Sequence, residues 1–147
     1  MGYGKAAGLQ FYKQLLERVD SLPGVESASV AFSVPMGYYN SSDFVEVPGY
    51  EAPAGASDPS SAFNAVSPGY FRTLGILVLE GRDFSDADKE DSQSVAVVNE
   101  AMAKKFWPKE SAFGHEFRIA GDRAHSLRVI GVVKNSRTTG MVGPIQE

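Results

Sequence analysis

Residues 94–108 read Ser94-Val95-Ala96-Val97-Val98-Asn99-Glu100-Ala101-Met102-Ala103-Lys104-Lys105-Phe106-Trp107-Pro108, and their order sets the kind of fold. Val95 to Val98 is one of the two longest apolar runs in the chain, with Ile76–Leu79, and its length and branched side chains suit a buried strand. Asn99 stands where a helix cap belongs, because its short side chain can accept a hydrogen bond from a free amide of the first turn. The spacing predicts a helix over Glu100–Phe106, which Pro108 ends. The other apolar residues of that helix are only Ala101, Met102 and Ala103. Phe106 and Trp107 must therefore supply most of its burial, against strands over Ser94–Val98 and Leu127–Val133.

Towards the C-terminus, strands are expected over Glu116–Ile119 and Leu127–Val133, with Gly121-Asp122 in the polar link of a hairpin. The tail from Asn135 to Glu147 has weak periodicity. Towards the N-terminus, Lys5 to Leu22 reads as an amphipathic helix. Leu9, Tyr12, Leu15, Leu16, Val19 and Leu22 fall on one face, Lys13, Gln14, Glu17 and Arg18 face water, and Pro23-Gly24 stops the helix. A loosely alternating strand over Val25–Ser33 follows, then an exposed turn-rich loop over residues 36–42. Next come a short strand over Asp43–Val47, a Pro- and Gly-containing loop over Glu51–Ser60, and a strand over Ala62–Val66. Ser67-Pro68 reads as an N-cap with proline at the first helical position, opening a short helix over Gly69–Leu74. Ile76–Leu79 is expected as a buried strand. Ser85 and Asp88 have capping-box spacing in an acidic turn. Helices and strands mix without long regular alternation, so the fold class is α+β rather than a doubly wound parallel sheet.

Composition narrows the function. With 147 residues the chain has the size of one domain, and folding removes about 68–70% of its unfolded surface. Hydrophobic residues at 43% and charged residues at 22% are ordinary for a globular protein, which excludes disorder and coiled coil. A net charge of −4 leaves no basic field to condense on nucleic acid or on an anionic membrane. Cysteine is absent, which removes thiol catalysis, zinc–thiolate sites and disulfides together. No stretch approaches the ~20 apolar residues of a membrane span, and Met1–Lys5 lacks the apolar core of a signal peptide.

Motifs for chemistry are missing. Neither GxxxxGK[ST] nor GxGxxG occurs, so no backbone cradle for a phosphate is encoded. His115-Glu116-Phe117 starts like a zinc-protease helix, but Ile119 stands where the second ligand is needed. His125 is the other histidine, and both read as solvated or hydrogen-bonded. Asp86, Asp88 and Glu90 alternate like the first ligands of a calcium loop, yet Asp91 replaces its glycine and Val97 its bidentate glutamate. No GxSxG elbow is present, and no serine is followed three residues later by lysine. The sequence therefore names no catalytic, cofactor-binding or metal-ligating residue.

Several segments in order resemble a known family. They are Leu15-Leu16-Glu17-Arg18-Val19 with Leu22-Pro23-Gly24-Val25-Glu26-Ser27-Ala28; Val66-Ser67-Pro68-Gly69-Tyr70-Phe71-Arg72-Thr73-Leu74-Gly75-Ile76; Glu80-Gly81-Arg82-Asp83-Phe84; Val95-Ala96-Val97-Val98-Asn99-Glu100-Ala101-Met102-Ala103 with Phe106-Trp107-Pro108; and Val129-Ile130-Gly131-Val132-Val133. Together they resemble the MacB-like periplasmic core domain of FtsX-type ABC transporter permeases, over nearly the whole chain. The resemblance implies a porter-like lobe over about residues 5–80 and a smaller mixed, Sabre-like lobe over about residues 81–147. It implies an extracytoplasmic, periplasmic position, as a piece of a membrane protein with apolar spans upstream of Gly4 and well downstream of Glu147.

The function so implied is coupling of ATP-driven movement of membrane helices to export or to another extracytoplasmic process. The chain itself would be no enzyme. Its partners would be the rest of the permease, a separate cytoplasmic ATPase, a second permease in a dimer and a periplasmic protein, with no cofactor. The alternative is an extracytoplasmic ligand- or peptide-binding module without a transport role, with Tyr38, Tyr39, Tyr50 and Tyr70 as surface contacts.

Overall fold

The computed structural model describes residues 4–35, 41–55, 57, 59–89, 91–120 and 122–136, with backbone alone at Lys5 and residues 122–124. The elements run α1 (Lys5–Asp20), β1 (Ser41–Glu46), β2 (Ser60–Phe63), α2 (Tyr70–Thr73), β3 (Val78–Gly81), β4 (Val95–Asn99), α3 (Glu100–Phe106), β5 (Glu116–Ile119) and β6 (Asp122–Val133). The α+β expectation is borne out: the strands form one six-stranded mixed sheet, β2-β1-β5-β6-β3, with β4 on β6.

The twelve-residue strand β6 organises the sheet. Arg128 is partnered by Glu116 of β5, antiparallel, and by Val95 of β4, parallel, so β4 and β5 flank β6. Further along, β3 pairs antiparallel with β6 at Gly81↔Gly131, Glu80↔Val132 and Val78↔Val133. Strand β1 joins β5 through Val45↔Ile119 and Glu46↔Arg118, and β2 closes the far end against β1.

Apolar side chains of the sheet and α3 make the core: Val45, Val47, Val98, Met102, Phe106, Trp107, Ala112, Phe117, Val129 and Val132, with Val129 fully enclosed. Trp107 is buried as expected, edge-on to Phe106 at 6.0 Å. The helix behind it starts as the sequence indicates, with Asn99 Oδ1 accepting the Met102 amide at 2.8 Å. A second donor of the first turn, the Ala101 amide, is taken by Asn135 Oδ1 at 3.0 Å. Two of the amides that every helix start leaves unpaired are thus satisfied.

At the β3–β6 crossing the backbones touch. A Cβ on Gly81 would lie 2.2 Å from the Ile130 carbonyl oxygen, and one on Gly131 would lie 2.3 Å from that of Arg82. Only a residue without a side chain fits on either strand.

Several expectations are corrected. Helix α1 ends at Asp20, where the chain turns through the Leu22 amide onto Val19 O. Its apolar face is only partly covered, since no other named helix or strand packs closely against it. Val25–Ser33 forms no strand: it makes only the bridge Ala31↔Val66, with Phe32 N donating to Ala65 O and Ser67 N to Val30 O, and the chain bends at Phe32 and Ser33. The expected strand over Ala62–Val66 is β2, which starts two residues earlier and ends three earlier, with only this bridge retained at Val66.

Ser67 caps nothing. Its Oγ accepts the Val30 amide at 2.9 Å, and the N-cap of α2 is Gly69 at φ +82°. The expected buried strand over Ile76–Leu79 is β3, which starts at Val78 and is exposed, because its one strand neighbour is β6 and α3 packs on β4 and β6 instead. At Ser85 the capping-box contact forms without a helix: Asp88 Oδ2 accepts the Ser85 amide at 2.8 Å across a turn.

Ser41-Ser42 and Ser60, expected in loops, open β1 and β2. Asp122 lies within β6 rather than in the hairpin link, so that strand starts before Leu127. Residues 36–40, Gly121 and the tail beyond 136 fall outside the described residues.

Candidate functional site

An apolar cleft of about 480 Å³ opens between the sheet and the segments around residues 33–35 and 63–71. Val97, Ile119 and Leu127 of the sheet line it together with Val34, Phe63 and Phe71. Asn64 ties two of the lining segments together. Its Oδ1 accepts the Ser33 amide at 2.9 Å while its Nδ2 donates to Ser33 O at 2.6 Å. The same side chain hydrogen-bonds the Tyr70 hydroxyl; burial pushes that phenol above its usual range, and the Asn64 contact opposes the shift. The carboxylate that reaches the cleft, Asp43, accepts the amide of its neighbour Phe44 at 2.8 Å. Such a lining can hold an apolar segment, and no acid–base pair is assembled among its described residues.

A second groove of about 470 Å³ runs along Val47, Pro48 and Tyr50 beside β5. Its polar edge is built by strand pairing, with Glu46 opposite Arg118. Glu116 is held on both oxygens, accepting from Gln93 Nε2 at 2.9 Å and from Ser126 Oγ at 2.8 Å. Tyr50 stands edge-on to Phe106 at 4.8 Å, half-buried.

The acidic turn is a clamp. Arg82 donates two hydrogen bonds of 2.7 Å to the two oxygens of Asp88. The Arg82 hydrogen bonds hold the Asp88 carboxyl well below the ordinary carboxylate range against the opposing effect of burial, and the bonds from Ser85 add to them. The hydrogen bond to Asp88 likewise raises the Arg82 guanidinium. Asp88 is thus spent on fixing the chain after β3. Asp86 is exposed, and Glu90 lies outside the described residues.

His115 stacks on Trp107 with ring centres 5.4 Å apart and has Nε2 3.6 Å from Glu110 Oε1. His125 is exposed on β6. Of the four tyrosines read as surface contacts, Tyr70 is buried, Tyr50 packs on the core, and Tyr38 and Tyr39 lie outside the described residues. Asn64, Asn135 and the Gly81–Gly131 contact escape a sequence reading, because each partner is about 30 or more residues away with no local signature.

No helix among the described residues is long and apolar enough to cross a membrane. Residues 2–146 match the MacB-like periplasmic core domain family. Over 85 residues, 58% of the chain, the sequence is 27% identical to the uncharacterized ABC transporter permease YknZ of Bacillus subtilis (strain 168), and it spans 20% of that protein's length. The fold is similar to the crystal structure of the periplasmic region of MacB from Actinobacillus actinomycetemcomitans, with a TM-score of 0.60 and 16% identity over 99% of this chain and 67% of that one. It is also similar to the extracellular domain of the noncanonic ABC-type transporter YknZ from Gram-positive bacteria, with a TM-score of 0.55 and 21% identity over 86% of this chain and 59% of that one. A chain matched from end to end by that family, with the α+β fold of its solved periplasmic regions, belongs to the MacB-like periplasmic core domains, the extracytoplasmic region of ABC transporter permeases.

Proposed function

We propose that this domain is a non-enzymatic transmission element of an ABC permease: it moves as a body with the membrane helices when a separate cytoplasmic ATPase opens and closes. The observation that carries this reading is the match of residues 2–146 to a permease-domain family. Its mechanical counterpart is the way β6 ties strands from both halves of the chain into one sheet. A sheet joined by backbone hydrogen bonds and filled by a close-packed core transmits displacement instead of absorbing it. The division into a porter-like lobe up to about residue 80 and a Sabre-like lobe after it belongs to the same reading.

The test uses the full-length permease. Deleting the domain, or locking paired domains of a dimer with an engineered disulfide, is expected to abolish transport while ATP binding persists. Transport that continues with the domains demonstrably locked or deleted refutes transmission. The apolar cleft supports a second reading, a ligand- or peptide-binding module, since its volume lies within the ~300–1,000 Å³ of small-molecule sites. A saturable thermal shift with an apolar ligand would favour it.

A further inference from the structure

The loop over residues 107–115 joins α3 to β5 and passes over the crossing of β3 and β6. Its second half is firmly seated. Ala112 is buried in the core, Gly114 N donates to Val129 O at 2.8 Å, and Val129 N donates to His115 O at 2.9 Å. Ser111 Oγ donates to the Glu80 carboxylate on β3. The Phe113 ring lies against Gly81, where an added Cβ would meet it at 2.9 Å. The first half has a weaker hold. Pro108, Lys109 and Glu110 are exposed, and Glu110 N reaches Trp107 O only at 3.4 Å.

His115 bridges the two halves. Its ring stacks on Trp107, with centres 5.4 Å apart and planes at 27°, and its Nε2 lies 3.6 Å from Glu110 Oε1. Trp107 is buried, so the imidazole rests on a rigid base. Glu110 has 63% of its side chain exposed and belongs to the loosely held half. Separated by 3.6 Å, the two attract as an ion pair only when the imidazole carries a proton. Histidine is the side chain that ordinarily gains or loses its charge between pH 5 and 8. An imidazolium over an indole face is attracted to it as well, so protonation does not eject the ring.

The charged groups of the surrounding elements leave that change to His115. Glu116, next on β5, has both oxygens taken by Gln93 and Ser126. Arg128 of β6 stands opposite Glu116 in the register. Glu80 of β3 is held by Ser111, Lys105 of α3 lies over the Phe106 ring, and Lys109 is exposed on the loop itself. Carboxylates, lysines and arginines ordinarily keep one charge across this range.

We propose that His115 is a pH-responsive latch. Protonated, it grips the Glu110 carboxylate and closes the exposed half of the loop over the β3–β6 crossing; neutral, it lets that half go. The sign follows from the charges: the hold is present at low pH and is lost as the pH rises. An extracytoplasmic domain lies outside the buffering of the cytoplasm, so acidification of the medium would reach this latch directly. The inference needs only that position and does not depend on the transmission role.

The experiment follows amide hydrogen exchange of residues 109–111 in full-length permease in nanodiscs at pH 5.5 and pH 8, corrected for the intrinsic pH dependence of exchange. Corrected exchange is expected to be about threefold slower at pH 5.5, the scale of one partly exposed ion pair. Glu110→Gln and His115→Gln are each expected to abolish the difference, and His125→Gln to keep it. Glu110→Gln alters an exposed side chain alone, so it reads the latch even if His115→Gln disturbs the stack. Equal corrected rates at the two pH values overturn the proposal. So does a difference that survives Glu110→Gln, or one that disappears with His125→Gln.

Discussion

Gly131→Ala tests the contact on which the sheet turns. A Cβ there would sit 2.3 Å from the Arg82 carbonyl oxygen and 3.3 Å from its carbon, both backbone atoms of a paired strand. Neither can rotate away as a side chain would, so β3 must lift off β6. The Arg82 N–Ile130 O bond and the Gly81↔Gly131 pairing go with it. Overpacking costs roughly 1–3 kcal/mol and each lost hydrogen bond about 1 kcal/mol, so about 3 kcal/mol is expected. Gly81→Ala meets the Ile130 oxygen at 2.2 Å and must also hold φ +72°, which adds roughly 1–2 kcal/mol. Gly114→Ala isolates that backbone penalty, because its φ is +85° with nothing within 4 Å. Urea unfolding followed by the single tryptophan, Trp107, reads all three. The expected order of loss is Gly81→Ala, then Gly131→Ala, then Gly114→Ala, and the Gly81/Gly131 double variant should lose less than the sum. A Gly131→Ala loss within about 0.5 kcal/mol of zero, the range of an ordinary surface change, refutes the close-approach argument.

Trp107→Ala is expected to cost about 3–5 kcal/mol, because it removes a buried ring from the centre of the core; an unchanged melting temperature refutes that role. Asn99→Ala should cost about 1 kcal/mol, since the Ala101 amide keeps its bond to Asn135 while the Met102 amide loses its acceptor; circular dichroism melts check it. Asp88→Asn probes the clamp through pH. A carboxyl held below its unfolded value of about 3.9 stabilises fully above that pH and loses its contribution as the pH falls further. The stability gap between wild type and Asp88→Asn should therefore be constant from pH 7 to 5 and shrink from about pH 4 downward. A gap that stays constant to pH 2 contradicts the ion-pair assignment.

The elements legible in the sequence were those whose signals are local. Asn99 caps the residue three positions on, Pro108 follows α3 directly, and the alternation of β1 and β5 needs no distant partner to be seen. The α1 helix was legible for the same reason, but what covers its face was not, since periodicity says which residues want burial and never against what. Ser67 failed the other way. Serine before proline is a sound capping signal, yet Val30, 37 residues earlier, competed for its hydroxyl, and Gly69 took the cap by entering the left-handed region. Local rules lose wherever a distant backbone donor is presented in better geometry.

The functional surfaces were less legible than the fold, and for a physical reason. A catalytic centre announces itself through side chains whose chemistry is unusual in any setting, whereas the transmission role proposed above would work through contacts made of ordinary residues. The Gly81–Gly131 approach explains two segments of the family resemblance at once, Glu80-Gly81-Arg82-Asp83-Phe84 and Val129-Ile130-Gly131-Val132-Val133. One strand supplies its glycine so that the other can lie against it, and Arg82 then turns outward to fix Asp88 and the acidic turn. Neither segment needs chemistry to account for its residues. What they build is a stiff joint between the strand that ends the first half of the chain and the strand that organises the second. Under the proposed transmission role, stiffness at that joint is what would be required, because a compliant crossing would let one half lag behind the other.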